Sequence, residues 1–401
     1  MIMAMIRPET EMKDSGVKYI GLIPRTWKIV QLKYCTDCLD GKRVPIDASL
    51  RKSGIYPYWG AGRIMDYVDD YIFDERLVLL GEDGAPFFDD FRPVSHLIDG
   101  KIWANNHIHV LRTKDNVVDS YLVHALNSVD YHEYINGSIL NKLTQSNMNR
   151  IKITLPSYIE QQAIADYLDE ICSKIDEIIS EAKASIDDYK ELKIGQINKY
   201  TIHKMKRTKL KYIAEKIGDG IHATPEYSSK GTIHFINGGS FGEDNIKMIG
   251  PMISYEEYQR QNKSTLNEHT IMIALNGVNF GNTSLYNNEA ILLGKSAGYI
   301  TLKPNICREY VRYCLENSAI KEVFDLSLNG TTIPNLSLNT LKNTKICLPD
   351  YSTQRRLAKD IKDAITKIDS IIAEKETLIN DLESYKKSLI YEVVTGKRRV
   401  V

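Results

Sequence analysis

Towards the end of the chain, apolar residues recur in alternating steps of four and three through Leu357, Ile361, Ala364, Ile368 and Ile371. The stripe resumes through Leu378, Leu382, Tyr385 and Leu389, and only Lys375 breaks it. A narrow stripe on a seven-residue period predicts a helix with a coiled-coil seam, because helices packed into a globular core carry a broader apolar face. An earlier segment keeps the same register through Ile164, Leu168, Ile171, Ile175, Ile178, Ala182, Tyr189 and Leu192. Its polar breaks at Ser185 and Gln196 have Ile186 and Ile197 beside them, so the seam can drift there. Pro156 stops the preceding strand, and Ser157 with Glu160 forms a capping box. At about 1.5 Å per residue, about forty residues predict a rod about 60 Å long.

The two stripes belong to one repeat. A shift of 193 residues (156 to 349) pairs Pro156 with Pro349, Tyr158 with Tyr351, Gln161 with Gln354, Ile175 with Ile368 and Asp176 with Asp369. The stretches 15–154 and 205–347 are different in kind, rich in Tyr, Gly, Asn and short apolar runs such as Arg76-Leu-Val-Leu-Leu80 and Thr270-Ile-Met-Ile-Ala274. Turn dipeptides punctuate them, among them Asp40-Gly41, Asp83-Gly84, Asp219-Gly220, Asn276-Gly277 and Asn329-Gly330. They predict two mixed α/β globules, each large enough for its own core. The repeat reaches the globule edges: Leu32-Lys33-Tyr34 resembles Leu210-Lys211-Tyr212, and Asp83-Gly84 matches Asn276-Gly277. Gly137-Ser138 through Leu155 aligns with Gly330-Thr331 through Leu348, while the interiors barely match. The expected order is globule 1–154, helix 155–204, globule 205–347 and helix 348–401, so function should come in two halves.

Composition narrows the setting. No apolar run approaches eighteen residues and Met1 to Thr10 lacks a signal-peptide layout, so a cytoplasmic protein with no membrane partner is expected. Cys35 and Cys38 form a single CxxC with no second pair at finger spacing, so no metal is assigned. Fifty-two basic residues balance 52 acidic ones, which is not the signature of a chain that clamps nucleic acid unaided. Gly294-Lys295-Ser296 ends like a phosphate loop, but Glu289 stands where the first glycine of that loop is required. Asp350, Asp360 and Lys362 mimic nuclease carboxylate–lysine spacing, yet Asp360 falls within the heptad helix. His107 and His109 alternate on a predicted strand and fit a structural role as well as a functional one. No HExxH or Asn-Pro-Pro-Tyr motif is present and no nucleophile elbow is read, so no catalytic residue is assigned.

The opening Met12-Lys-Asp-Ser-Gly-Val-Lys-Tyr-Ile-Gly-Leu-Ile-Pro-Arg-Thr-Trp27, the two Leu-Pro-x-x-x-x-Gln helix starts and the globule–helix order resemble type I restriction-modification specificity subunits. The resemblance covers nearly the whole chain. It implies that each globule is a target recognition domain and that the helices pair antiparallel as a spacer. It also implies a bipartite double-stranded DNA site with a non-contacted gap, read in company with two methyltransferase (modification) subunits and restriction/translocase subunits. S-adenosylmethionine, ATP and Mg2+ would then be bound by those partners and not by this chain. One departure is Thr353-Gln354 where the first copy has Glu160-Gln161, so a partner contact at that Glu is expected to differ between the halves.

Two readers on a rod measure the distance between two short sequences, since DNA rises about 3.4 Å per base pair and turns about once per ten. Poorly matching interiors then suit different half-sites. Arg, Lys, Asn and Gln on loops are the expected readers. In the first globule these are Lys42, Arg43, Arg51, Lys52, Tyr58, Arg63, Lys142 and Gln145. In the second they are His222, Lys230, Asn237, Lys263, Asn276, Asn279 and Lys295. Two other functions stay open on sequence alone: a coiled-coil scaffold joining two protein-binding modules, and a stand-alone nuclease using Asp350, Asp360 and Lys362.

Overall fold

A computed structural model describes residues 5–89, 91–135, 141–201, 207–242, 245–277, 279–327 and 335–400. The expected turn at Asn329-Gly330 and the alignment of Gly137-Ser138 with Gly330-Thr331 lie outside them. The chain divides into two compact units, Met1–Lys183 with Glu376–Val401, and Ala184–Lys375. Both long helices form, Tyr158–Thr201 and Tyr351–Val394, and each contributes one stretch to each unit.

Both units are built on one plan. In the first, a four-stranded antiparallel sheet runs in the order Ser95–Ile98, Leu77–Gly81, Ile108–Thr113, Thr36–Cys38. In the second the order is Ala214–Asp219, Ala297–Leu302, Thr270–Ala274, Thr283–Leu285. The strands Leu77–Gly81 and Thr270–Ala274 are buried at every residue, as continuous apolar runs covered on both faces require. A second sheet in each unit holds a parallel pair, Ser53–Gly60 beside Lys101–Ala104 and Ile233–Ile236 beside Ile291–Leu293. Each unit also carries a nine-residue helix, Asp119–Asn127 and Arg308–Glu316.

The repeated glutamine ties these parts together. The Gln161 side chain accepts from the Val118 amide (2.9 Å) at the start of the first nine-residue helix and donates to the carbonyls of Pro156 and Asn116 (both 3.1 Å). Gln354 does the same with the Cys307 amide (2.9 Å) and the Pro349 carbonyl (2.7 Å). Both side chains are buried, so a helix start with no capping side chain of its own gains a partner for an orphan amide. Tyr121 and Tyr310, one turn on, donate to the carbonyls of Thr154 and Cys347 in the strands that lead into the long helices.

Within each unit the helix stretches pack antiparallel. In the first, Asp176 meets Lys386 (2.6 Å) while Lys183 meets Glu383 (3.8 Å). In the second, Lys375 lies over the Tyr189 ring and Lys193 meets Asp369 (2.9 Å). Of the expected seam, Ile164, Leu168, Ile175, Leu357, Ile361 and Ile368 are buried, whereas Ile171, Ile371 and Leu382 are half-buried. Ile178 and Leu378 are corrected: each is 45% exposed, and the neighbours Ile179 and Ile379 are buried at 7%. On a helix, the positions three and four residues on both flank a given side chain, and the side on which the partner lies decides between them. Buried residues therefore run Leu168, Cys172, Ile175, Ile179, Ala182 and Ile186.

Candidate nucleic-acid interface

The repeated turn after the buried central strand stands at the same place in both units. Leu77–Gly81 runs on into Glu82-Asp83-Gly84, and Thr270–Ala274 into Leu275-Asn276-Gly277. Gly84 (φ 68°) and Gly277 (φ 83°) take the left-handed conformation that favours glycine. A returning segment latches each turn by the same bond. The Leu143 amide donates to the Glu82 carbonyl (2.6 Å) and the Leu336 amide to the Leu275 carbonyl (2.7 Å). Asp83 pairs with Lys142 and Asn276 with Asn335 in matching backbone bridges. The scaffold is thus common to both units, and the side chains it presents differ.

In the first unit the corner is ionic. Arg43 reaches Glu82 (2.6 Å) and the Ile108 carbonyl (2.8 Å), His109 bonds Asp40 (2.6 Å) and the Leu143 carbonyl (2.8 Å), and Lys142 meets Glu82 (3.3 Å) and Asp83 (3.4 Å). Burial pushes the Asp40 carboxyl up, but His109, the Val110 amide and Arg43 outweigh it and hold the group below the usual carboxylate range. Asp40, Glu82 and His109 bring donor atoms within 4.8 Å of one another, the spacing of a metal site. The set does not fit a cation: Arg43 already pairs with both carboxylates, Lys142 adds a second positive charge at Glu82, and each imidazole nitrogen faces an oxygen acceptor. The network instead stiffens a corner from which Lys42, His107 and Lys142 face solvent. Arg63 is exposed just after the Ala61-Gly62 turn, whose Ala61 amide donates to the His107 carbonyl (3.2 Å).

In the second unit the corner is made of amides. Ser296 donates to Asn237 (3.2 Å) and accepts from the Gly238 amide (2.9 Å), and Asn279 donates to the Gly239 carbonyl (3.0 Å). The expected readers Asn237 and Asn279 are thereby joined to the turn that carries exposed Lys295. Ile221 pairs with Gly294, so His222 stands beside the same turn. A Cβ at Gly294 would lie 2.2 Å from the Asn237 side chain, so this glycine serves close packing of the turn.

The type I restriction modification DNA specificity domain model matches this chain twice, over residues 24–188 and 202–384. The chain belongs to that family. A putative type I restriction enzyme specificity subunit of Haemophilus influenzae is 26% identical over 89% of this chain and 89% of its own. The MjaVIII specificity subunit of Methanocaldococcus jannaschii is 22% identical over 100% and 98%. A solved structure concerned with complex assembly and conformational transition of the type I R-M system shares the fold, with a TM-score of 0.72 at 15% identity over 94% of this chain and 99% of that one.

Other expected readers in this specificity-family chain stand elsewhere. Tyr58 is 1% exposed and bonds the Ile46 amide (3.0 Å), so the expectation that it faces DNA is corrected. Arg51 stacks on that ring (4.4 Å) and bonds the Ile46 carbonyl (3.2 Å), and Arg43 is likewise held by the ionic corner. Lys52 is exposed near Asp69 (4.0 Å), and Gln145 donates to Cys38 Sγ (3.2 Å). Exposed Lys230 lies in the turn before Ile233–Ile236, and the Lys263 carbonyl accepts from Lys216 (3.2 Å). Asp350 caps the second long helix through Thr353 (3.0 Å), and Asp360 pairs along that helix with Arg356 (3.7 Å), so the carboxylates of the nuclease reading serve the helix. Glu160 is engaged within the chain, accepting from Trp27 Nε1 (3.2 Å) and Ser157 (2.8 Å). Asp83 and His107, marked in the sequence only by the Asp83-Gly84 turn and the His107–His109 alternation, bond each other at the ionic corner. No helix among the described residues is long and apolar enough to cross a membrane.

Proposed function

We propose that this chain is the DNA-specificity subunit of a type I restriction-modification complex, each unit reading one half of a bipartite duplex site and the chain itself carrying no catalysis. One observation supports this above the rest: two turns held by the same backbone bonds present ions in one unit and amides in the other. Such an arrangement keeps position constant while changing the donor and acceptor pattern offered to base edges, the code by which major-groove readers discriminate. Lys42, Arg63 and Lys142 are the first unit's readers, and Asn237, Asn279, Lys295 and His222 the second's. A net charge of zero suits a reader whose phosphate grip is shared with two methyltransferase subunits. Those subunits would supply S-adenosylmethionine chemistry, and restriction subunits the ATP- and Mg2+-dependent steps, in the cytoplasm.

Methylation mapping across a genome expressing the chain with methyltransferase subunits tests this. A two-part motif with a fixed gap is expected. Arg63→Ala should relax only one half of it and Asn279→Ala only the other, each by about 1–3 kcal/mol of discrimination per contacted base pair. A contiguous motif, or one variant relaxing both halves, would count against the proposal.

A further inference from the structure

The two units differ in what fills one groove. In each it lies where the last turn of the nine-residue helix, the strand leading into one long helix and the end of the other long helix meet. In the first unit Ala125, Ser128, Lys152 and Ile153 line it, and Tyr19 and Ile20 occupy it, leaving a space of about 10 Å³. The corresponding residues of the second unit are Cys314, Asn317, Lys345 and Ile346, and there the cavity is about 360 Å³. The correspondence rests on the shared bonds of Gln161 with Gln354 and of Tyr121 with Tyr310, which place the helix and strand alike in both units.

The plug of the first groove is well held. The Tyr19 hydroxyl donates to the Lys152 carbonyl, and the Ile20 carbonyl accepts from Tyr391 (3.2 Å) and Lys397 (2.7 Å). Ile20 is 3% exposed. The same segment sends Trp27 to Glu160, the residue that the second copy replaces with Thr353. Among the described residues, no segment of the second unit stands where Tyr19 and Ile20 stand in the first.

We propose that the second unit's cavity docks a segment of a partner protein in which a tyrosine is followed by an aliphatic residue, with a carboxylate close by. The tyrosine hydroxyl donates to the Lys345 carbonyl, as Tyr19 does to Lys152. The aliphatic side chain covers Ile320 and Ile346, and the carboxylate meets exposed Arg207 and Lys345 at the mouth. A second copy of this chain is disfavoured as the donor, because its own Tyr19 and Ile20 would have to leave a filled groove. One such segment is then bound per chain, although the chain is a repeat. This surface involves none of the proposed base-reading residues, so it stands or falls separately from DNA recognition.

The probe is a labelled peptide of residues 12–27, which carries the Tyr-Ile pair and Asp14. Added to the full chain, it should bind saturably in fluorescence anisotropy. A benzophenone in place of its tyrosine should cross-link within 314–347. Ala319→Trp, at an exposed position on the cavity wall, should weaken binding at least tenfold, and a Tyr-to-Phe peptide should bind about fivefold more weakly through loss of one hydrogen bond. No saturable binding, cross-links confined to residues 125–154 of the first groove, or unchanged affinity in both variants would overturn the proposal.

Discussion

Gln161, Gln354 and Asp40 show how single side chains divide the work of this molecule. The glutamines match across the repeat because each closes the same buried set of backbone bonds. Asp40 belongs to one unit alone, where it anchors His109 and the Val110 amide. A carboxyl with its folded pKa below the unfolded value contributes stability that is present above the ordinary carboxylate range and lost as pH falls through the folded value. Asp40→Asn should therefore cost about 3 kcal/mol at neutral pH by breaking a buried pair. It should also flatten the loss of stability below about pH 4. Chemical denaturation across pH checks both; an acid limb as steep as in the parent would remove Asp40 from that role.

Among the elements, the long helices carry a stripe wide enough to offer two seams. Leu168, Ile175 and Ala182 belong to either, and the partner helix selects Cys172, Ile179 and Ile186 over Ile171, Ile178 and Ser185. The polar Ser185 beside apolar Ile186 was a legible clue to that choice. Ile179→Ala should destabilise the chain by about 2–3 kcal/mol, whereas Ile178→Ala should stay within about 0.5 kcal/mol. Equal losses in thermal unfolding would contradict the assigned seam. The ion pairs Asp176–Lys386 and Lys193–Asp369 are partly exposed, so their role is to specify antiparallel register more than to add stability.

For the molecule as a whole, a specificity subunit built from two like units is expected to measure DNA. Inserting seven residues into one long helix should break assembly with the methyltransferase. Matched insertions in both helices should preserve it and lengthen the gap in the methylated motif. An unchanged gap after matched insertions would end the idea of the helices as a ruler. The asymmetry of the grooves adds that a repeated chain need not have two equal partner surfaces. Its opening segment fills one groove, and among the described residues the second unit has no segment in the corresponding place.

The helices, the turns, the mixed α/β class and the family were legible in the order of residues, because periodicity and turn chemistry are local properties that a repeat states twice. Tyr58 and Arg43 were not, since an aromatic or an arginine on a predicted loop reads as exposed until the chain folds over it. The side of the stripe that becomes the seam, the ionic corner and the filled and open grooves depend on groups far apart in sequence. Asp40 and His109 are 69 residues apart, and Ile20 and Lys397 are 377 apart. Such contacts exist only once long-range packing has set which faces meet.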